Sequence, residues 1–549
     1  MGSTFMGLET SKRGLSAQQS GLYTTGHNIS NANTIGYSRQ TVNLKPTNGF
    51  PGSGMNAPQI PGYLGTGATP GSIQRVRDQF IDNQFRQETT KLGYWGSRTE
   101  AIGQLEGILN EPSTYGIDTA FNDFFKALQD LSASPENSAA RQVAIEKAKT
   151  LAESFNYTNK QLTEVQENLK NQINVETKNV NSILKQISEL NKQISTIEVN
   201  GSLPNDLYDE RDILVDQLSQ YLPIKIKKVD SGGNSKDMAE GSYKITMDVG
   251  GTEITLVGAE KNPDDETVEH SLSSLTPQTV DTATGTAKDF DASTGFTAFY
   301  QFKVTNDKEG DFDVNINNIP QGTGILKSLT ESYGYITKDA AGNFSGPTGV
   351  IQDKISELDK LADEFAKEFN KIHKTGYTGV KVPQLDADGK PVLDVNGDPI
   401  MEYATGIEFF KGQGAAGMKV SDEILENFNR FTVSDAEGEV GNGKIAIALS
   451  NLKTKALAGL NNASAQTFFQ SMIGDVGVMG EQATRMFKNS SSLQLSISNN
   501  RASVSSVSLD EEMTNMIMYQ QAYNASARML TVMDETLEKI INGMGRVGL

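Results

Sequence analysis

The apolar positions of this chain switch between helical and strand-like periods, and the switches mark out its parts. Near the N-terminus Leu8, Leu15, Leu22 and Ile29 recur every seventh residue. At the far end Leu509, Met516, Tyr523, Leu530, Leu537 and Met544 do the same, with Met513, Ala527 and Ile541 on a neighbouring row. A spacing of seven keeps one stripe of a helix turned toward a partner, as in a coiled-coil seam. Ser508 followed by Glu511 reads as a capping box that opens the C-terminal helix. The N-terminal helix is expected to end in the Asn-rich stretch from His27 to Gly36, because Asn and Gly tolerate left-handed backbone.

The middle of the chain carries a longer helical pattern. Leu162, Leu169, Ile183, Leu190 and Ile197 alternate with Ile173, Val180, Ile187 and Ile194 at three-four spacing. Glu176 falls on the seam and predicts a polar layer or register break, and Asn200, Gly201 and Pro204 end the run. A second helix is predicted at 206–222. A third follows Ile351, Ile355, Leu358, Leu361, Phe365, Phe369 and Ile372. Between them the period drops to two. Residues 243–257 alternate about Gly250-Gly251, a hairpin signal because both turn positions favour positive φ. Strands are also predicted at 296–304 and 311–319.

These periods predict an α+β multidomain chain, in which a discontinuous helical bundle or coiled coil formed by the N- and C-terminal segments carries inserted β-rich domains. The expected parts are a terminal coiled-coil assembly unit (1–45 with 505–549), a Pro/Gly-rich linker (46–72) and a helical rod (73–222 with 350–377 and 445–504). Two β-rich inserts occupy 223–349 and 378–444. The second contains the repeated octads LDADGKPV (385–392) and LDVNGDPI (393–400), each with a Gly turn.

Composition narrows the chemistry. The 549 residues carry 49 Lys+Arg and 68 Asp+Glu, a formal net charge of −19. That balance argues against nucleic acid, whose phosphates need clustered cations, and against an anionic membrane surface. No apolar run approaches the roughly 20 residues that span a bilayer. The first residues lack the apolar core of a secretory signal peptide, so no cleaved signal peptide is expected. With no cysteine, thiol chemistry and disulfides are excluded, and three widely separated histidines argue against a multi-histidine metal site.

Four motifs look chemical and have simpler readings. Gly412, Gly414 and Gly417 spell G-x-G-x-x-G, but an extended Met418-Val420 follows where a nucleotide site needs a helix. Gly438, Gly443 and Lys444 fit a phosphate loop, except that Ile445 replaces the Ser/Thr that would hold magnesium. The acidic unit 386–398 has Lys390 where a calcium loop needs an oxygen ligand, and Thr405 where it needs a bidentate Glu. His373 has no nucleophile or carboxylate partner in the pattern and reads as a capping or packing residue. No catalytic, cofactor or metal site is assigned, and an enzyme is not expected.

The chain ends pose an energetic question. Burying four N-terminal seam residues yields roughly 6–12 kcal/mol. Ordering some 25 residues costs on the order of 25–50 kcal/mol of backbone entropy. Gly14, Gly21 and Gly26 dilute the seam further, at about 1 kcal/mol each. Both ends are therefore expected to be disordered in a lone subunit and to fold only against each other and neighbouring copies.

The same ends carry a family resemblance. LSAQQSGLYTTGHNISNANTIGYSRQTV, with Asn31-Ala32-Asn33-Thr34 and Gly36-Tyr37 at its core, resembles the signature of bacterial flagellar rod, hook and hook-associated proteins. SVSLDEEMTNMIMYQQAYNASARML is similar to the matching end motif through Gln521, Ala522, Tyr523, Ala525 and Ala527. Stretches at 124–141, 206–219 and 358–377, with Phe409-Phe410, resemble the hook–filament junction members of that family.

The resemblance implies a structural axial protein of the extracellular flagellum, exported by the type III route with a chaperone on its C-terminal region. It implies a homo-oligomeric ring between hook protein and hook-associated protein 3, on which filament growth is templated. The assembly contacts it suggests are Leu8, Leu15, Leu22 and Ile29 against Met516, Tyr523, Leu530 and Leu537, with Asn31, Asn33, Thr34 and Gly36 redirecting the chain. A hook or rod protein, hook-associated protein 3 itself, and a secreted coiled-coil adhesin are the alternative readings.

Overall fold

A computed structural model describes residues 4–50, 62, 64–109, 116–262, 267–281, 286–290, 296–339, 342–384, 391–394, 396, 398–439 and 441–543. The first heptads form α1 (Thr4–Ser30). An antiparallel ribbon of β1 (Gln40–Pro46) and β2 (Ala68–Arg75) lies against it, with a bulge between Asn43 and Leu44. Then come α2 (Gln79–Leu109), α3 (Ile117–Ala133), α4 (Ser138–Val199) and α5 (Asn205–Tyr221).

Helix α4 runs unbroken for 62 residues. The side chain of Asn137 accepts from the amides of Ala139 and Ala140 at its start, and Gly201 takes φ +78° just past its end. At the position where Glu176 predicts a break, Thr177 turns inward instead and donates its hydroxyl to the Ile173 carbonyl at 2.6 Å. The helix keeps its register because the polar group is satisfied within its own turn.

The next segment builds one antiparallel sheet from β3 (Ile224–Val229), β4 (Ser242–Val249), β5 (Thr252–Lys261), β6 (Val268–Asp281), β7 (Thr286–Asp289), β8 (Phe299–Asn306) and β9 (Gly310–Asn315). The strand order is β3-β4-β5-β6-β8-β9, with β7 paired to β6. Gly250 and Gly251, at φ +62° and +90°, make the tight turn between β4 and β5.

Helices α6 (Ile325–Tyr333) and α7 (Val350–His373) return the chain to the helical body. Beyond them lie β10 (Tyr377–Pro383) with β11 (Met401–Thr405), and β12 (Phe410–Lys411) with β13 (Lys419–Val420). Two one-turn helices, α8 (Gly414–Gly417) and α9 (Asp422–Glu426), accompany them. Most of the first acidic octad (385–390) and Met544 fall outside the described residues. The chain closes with α10 (Lys444–Ser450), α11 (Ala465–Ser505) and α12 (Leu509–Gly543).

Two cores share α4. Its first half packs with α3, α7 and the 409–433 segment around Phe121, Phe124, Phe125, Phe155, Phe365, Phe369, Phe409 and Phe410. Its second half packs with α5, α6 and the inner face of the sheet, through Ile173, Val180, Ile187, Val215, Leu329, Ile245, Phe302 and Val304. One continuous helix thus contributes side chains to both cores.

Candidate assembly interface

Helices α1 and α12 pack antiparallel, and the residues that bring them together are small. Gly7, Gly14 and Gly21 stand seven apart on α1 and face Met533, Ser526 and Tyr519, which step back by seven along α12. A Cβ on Gly7 would lie 2.8 Å from Met533 Cε, one on Gly14 3.2 Å from Ser526 Oγ, and one on Gly21 2.8 Å from Tyr519 Cδ1. The glycines let the backbones approach, and the bulky α12 side chains occupy the space a side chain would take. Ala17 and Thr24, three residues on from Gly14 and Gly21, are buried, while the Thr10 methyl is turned toward Gly67 just before β2.

The ends are therefore a paired helical unit within a single chain, contrary to the expected disorder. The physical reason lies in what the expectation counted against α1. Gly14 and Gly21 form the seam rather than diluting it, whereas Gly26 has nothing near it. Helix α1 also gains the β1–β2 ribbon as a second partner, with Arg13 Nη1 donating to the Thr66 carbonyl at 3.4 Å.

Leu8, Leu15, Leu22 and Ile29 are half-buried and sit beside the glycine seam, one residue on from it. Met516, Tyr523, Leu530 and Leu537 are half-buried along one row of α12. Met513 and Ile541, placed on a neighbouring row by the sequence pattern, are 51% and 70% exposed; the second inward row is Glu512, Tyr519, Ser526 and Met533. Only one half of the capping box forms: the Glu511 amide meets Ser508 Oγ at 3.5 Å, while the Glu511 carboxylate pairs with Arg39.

The turn after α1 is held from inside. Asn28 Nδ2 donates to the Gln40 carbonyl at 2.8 Å, and its Oδ1 accepts from the Gln40 amide at 3.0 Å, so one side chain clamps both backbone groups. Asn31 Nδ2 donates to the His27 carbonyl at 3.1 Å and its Oδ1 accepts from Thr34 Oγ1 at 3.2 Å. Asn33 is exposed. Gly36 has φ +79°, and a Cβ there would lie 2.5 Å from Ile213 on α5, so this glycine is demanded twice over.

A set of buried ion pairs then fixes the terminal unit to the body, and sequence reasoning missed it. Asp209 accepts from the Ser38 amide and hydroxyl at 3.0 and 2.7 Å and from Arg75 at 2.6 Å. Asp212 lies within 3.0–3.1 Å of Arg75, Arg77 and Arg86, and Asp216 takes Arg86 and Arg501, both at 2.7 Å. Burial alone would raise the Asp212 carboxyl, but Arg77, Arg75, Arg86 and Arg211 together hold it well below the usual carboxylate range. The signal was present: Asp206, Asp209, Asp212 and Asp216 recur at helical spacing on α5, and Arg75 and Arg77 stand at the end of β2 and two residues beyond it.

The glycine motif at 412–417 binds the protein's own carboxylates. The Gly414 amide donates to Asp363 and the Ala415 amide to Asp359, both at 2.7 Å. His373 is fully buried: its Nε2 accepts from the Thr432 amide at 3.1 Å and its Nδ1 donates to the Ile407 carbonyl at 2.7 Å. That arrangement needs the neutral ring, and burial pushes its pKa down to about 4.

Comparison with known proteins follows the same map. The family described as flagellar hook-associated protein FlgK helical domain matches residues 102–386. Flagella basal body rod protein matches 8–37, and flagellar basal body rod FlgEFG protein C-terminal matches 498–543. Flagellar hook-associated protein 1 of Bacillus subtilis (strain 168) is 38% identical, over 99% of both chains. The chain belongs to the flagellar hook-associated protein 1 family. The Escherichia coli (strain K12) member is 27% identical, over 96% of this chain and 98% of its own. The flagellar hook junction protein FlgK from Burkholderia pseudomallei shares the fold, with a TM-score of 0.53 at 13% identity, over 77% of this chain and all of that one. The two rod-type matches fall on the helices that pair here, and the family-specific match falls on the body and sheet between them.

Proposed function

We infer that the chain is a structural axial protein of the bacterial flagellum that forms the junction between hook and filament, and that α1 and α12 are its joining device. One observation carries this: α12 is apolar on two sides. Its inner rows meet α1, yet Met518, Met529 and Val532, away from that seam, are 54%, 50% and 49% exposed. Met513 and Ile517 add to that surface. Large exposed apolar side chains gathered on one helix of an otherwise acidic chain mark a contact surface. The outward face of α1 is polar apart from Phe5 and Tyr23, so the contact is directional.

In this reading copies join through that α12 surface into a ring, with hook protein on one side and hook-associated protein 3 on the other. A chaperone covers the C-terminal surface before assembly, and the finished ring templates the filament. The test is Met518→Lys combined with Met529→Lys in the full chain. The variant is expected to fold and melt like the parent, because neither side chain supports a core, but to leave hooks without attached filaments. Normal filament growth from such hooks would overturn the reading.

A further inference from the structure

The sheet ends on two open edges whose charges are opposite. Strand β3 is one edge and β9 the other. Among the described residues, no backbone hydrogen bond reaches the outer side of either strand. An unpaired edge is a template for another strand, and proteins normally block it with charge. Here β3 carries Lys225, Lys227 and Lys228, while β9 carries Asp311 and Asp313. Each edge repels its own kind and suits the other.

We propose that β3 of one copy pairs with β9 of a second copy, joining the sheets of neighbouring subunits. Three further observations support it. First, direction: the path β3-β4-β5-β6-β8-β9 is antiparallel at every step, so its two edge strands run oppositely. A copy placed edge to edge in the same orientation therefore continues the antiparallel alternation, in which strands pair most stably.

Second, facing: Ile224 and Ile226 lie on the core side with Met247 and Ile245, so Lys225 and Lys227 are on the outer side. Phe312 and Val314 lie on the core side with Val304 and Phe302, so Asp311 and Asp313 are on the outer side too. Setting Lys227 opposite Asp311 and Lys225 opposite Asp313 also puts Ile226 against Phe312, both only half-buried in the lone chain. Third, space: Pro223, Ile224, Lys225 and Ile226 border an open cleft of about 390 Å³ against Asn83, Gln87 and Lys91 of α2, beside the edge an incoming strand would use.

The present partners of these charges do not forbid the exchange. Lys225 and Lys227 pair with Asp248 and Glu253, and Asp311 with Lys303, but all six side chains are 37–60% exposed. Exposed pairs of this kind are easily traded. Two unlike edges give a head-to-tail contact, which adds copy after copy rather than stopping at a dimer and makes a ring where the rotation between copies closes.

This contact uses the sheet and not α12, so it is tested separately from the terminal device. The chain has no cysteine of its own. Lys227→Cys with Asp311→Cys in one full-length chain, assembled on hooks and oxidised, is expected to give a ladder of linked subunits. Lys227→Cys alone should give none. Lys225→Glu with Lys227→Glu, placed in a chain whose cysteines replace Ile226 and Phe312, should cut the ladder roughly tenfold through like-charge contact. Adding Asp311→Lys and Asp313→Lys to that chain should restore it. Filaments that attach normally without any ladder would overturn the sheet contact and leave the α12 reading standing. Dimers from Lys227→Cys alone would overturn it as well, since they would mean β3 pairs with itself.

Discussion

Helices α4 and α12 are both long and both carry apolar residues at three-four spacing, yet α4 is enclosed by α3, α5, α7 and the sheet, while of α12 only Glu512 is buried. The difference is one of partners, not of pattern. Apolar rows on α4 meet phenylalanines and aliphatic strands on several sides. The rows on α12 meet one thin helix of glycine, alanine and threonine, which leaves the far side bare. A seam built on small residues holds two helices in register at short range but buries little area, so it positions the pair more than it stabilises it. The body is built to be stable alone, and the ends are built to be completed.

The largest effect that sharpens this contrast belongs to the body. Phe365 lies 5.1 Å from the ring of Phe121, 5.8 Å from Phe410 and 6.0 Å from Phe369, and is buried. Phe365→Ala is expected to cost about 3–5 kcal/mol, read as a lower denaturation midpoint for the body. No single truncation on α12 should approach that value, and one that did would erase the distinction between the regions.

The next effect depends on pH. Buried His373 is neutral in the fold, with its pKa pushed down to about 4, against about 6.5 for a free histidine. Between those values the unfolded chain binds the extra proton, so stability rises with pH, is complete above about 6.5, and is lost as pH falls toward about 4. The gap of about 2.5 pH units amounts to about 3 kcal/mol. Denaturation at pH 7 and pH 4.5 should show the parent losing more than His373→Gln, which lacks the titration. An equal loss would mean the ring is not held neutral.

Much of the architecture was legible because it is local. The α4 run, the Gly250-Gly251 turn and the helix after Val350 each follow from a period and its end signals. The glycine seam was not, because Gly14 and Gly21 look like weak helix residues until the partner that fills their space is known. The charged joint was hidden for a related reason. Arg75 and Asp209 belong to segments far apart in sequence, and the carboxylates that recur along α5 do not say which arginines they meet. Ile213 behind Gly36 is the same case: the turn residue is readable, but the wall it must avoid is not.

The smallest effect is the most discriminating, because it acts on the ends alone. Leucine at Gly21 raises intrinsic helix propensity by somewhat under 1 kcal/mol, but its Cβ must enter space held by the Tyr519 ring at 2.8 Å. Overpacking costs about 1–3 kcal/mol, so the seam should open although α1 itself becomes a better helix. Gly26 provides the control: with no atom within 4 Å of its added Cβ, Gly26→Leu should only strengthen α1. Amide exchange is the measurement. Gly21→Leu should lose protection across 512–533 with an unchanged body midpoint, and Gly26→Leu should keep or gain it. If both behave alike, the register of small against large residues is not what pairs the two ends, and the leucine row beside it would have to be.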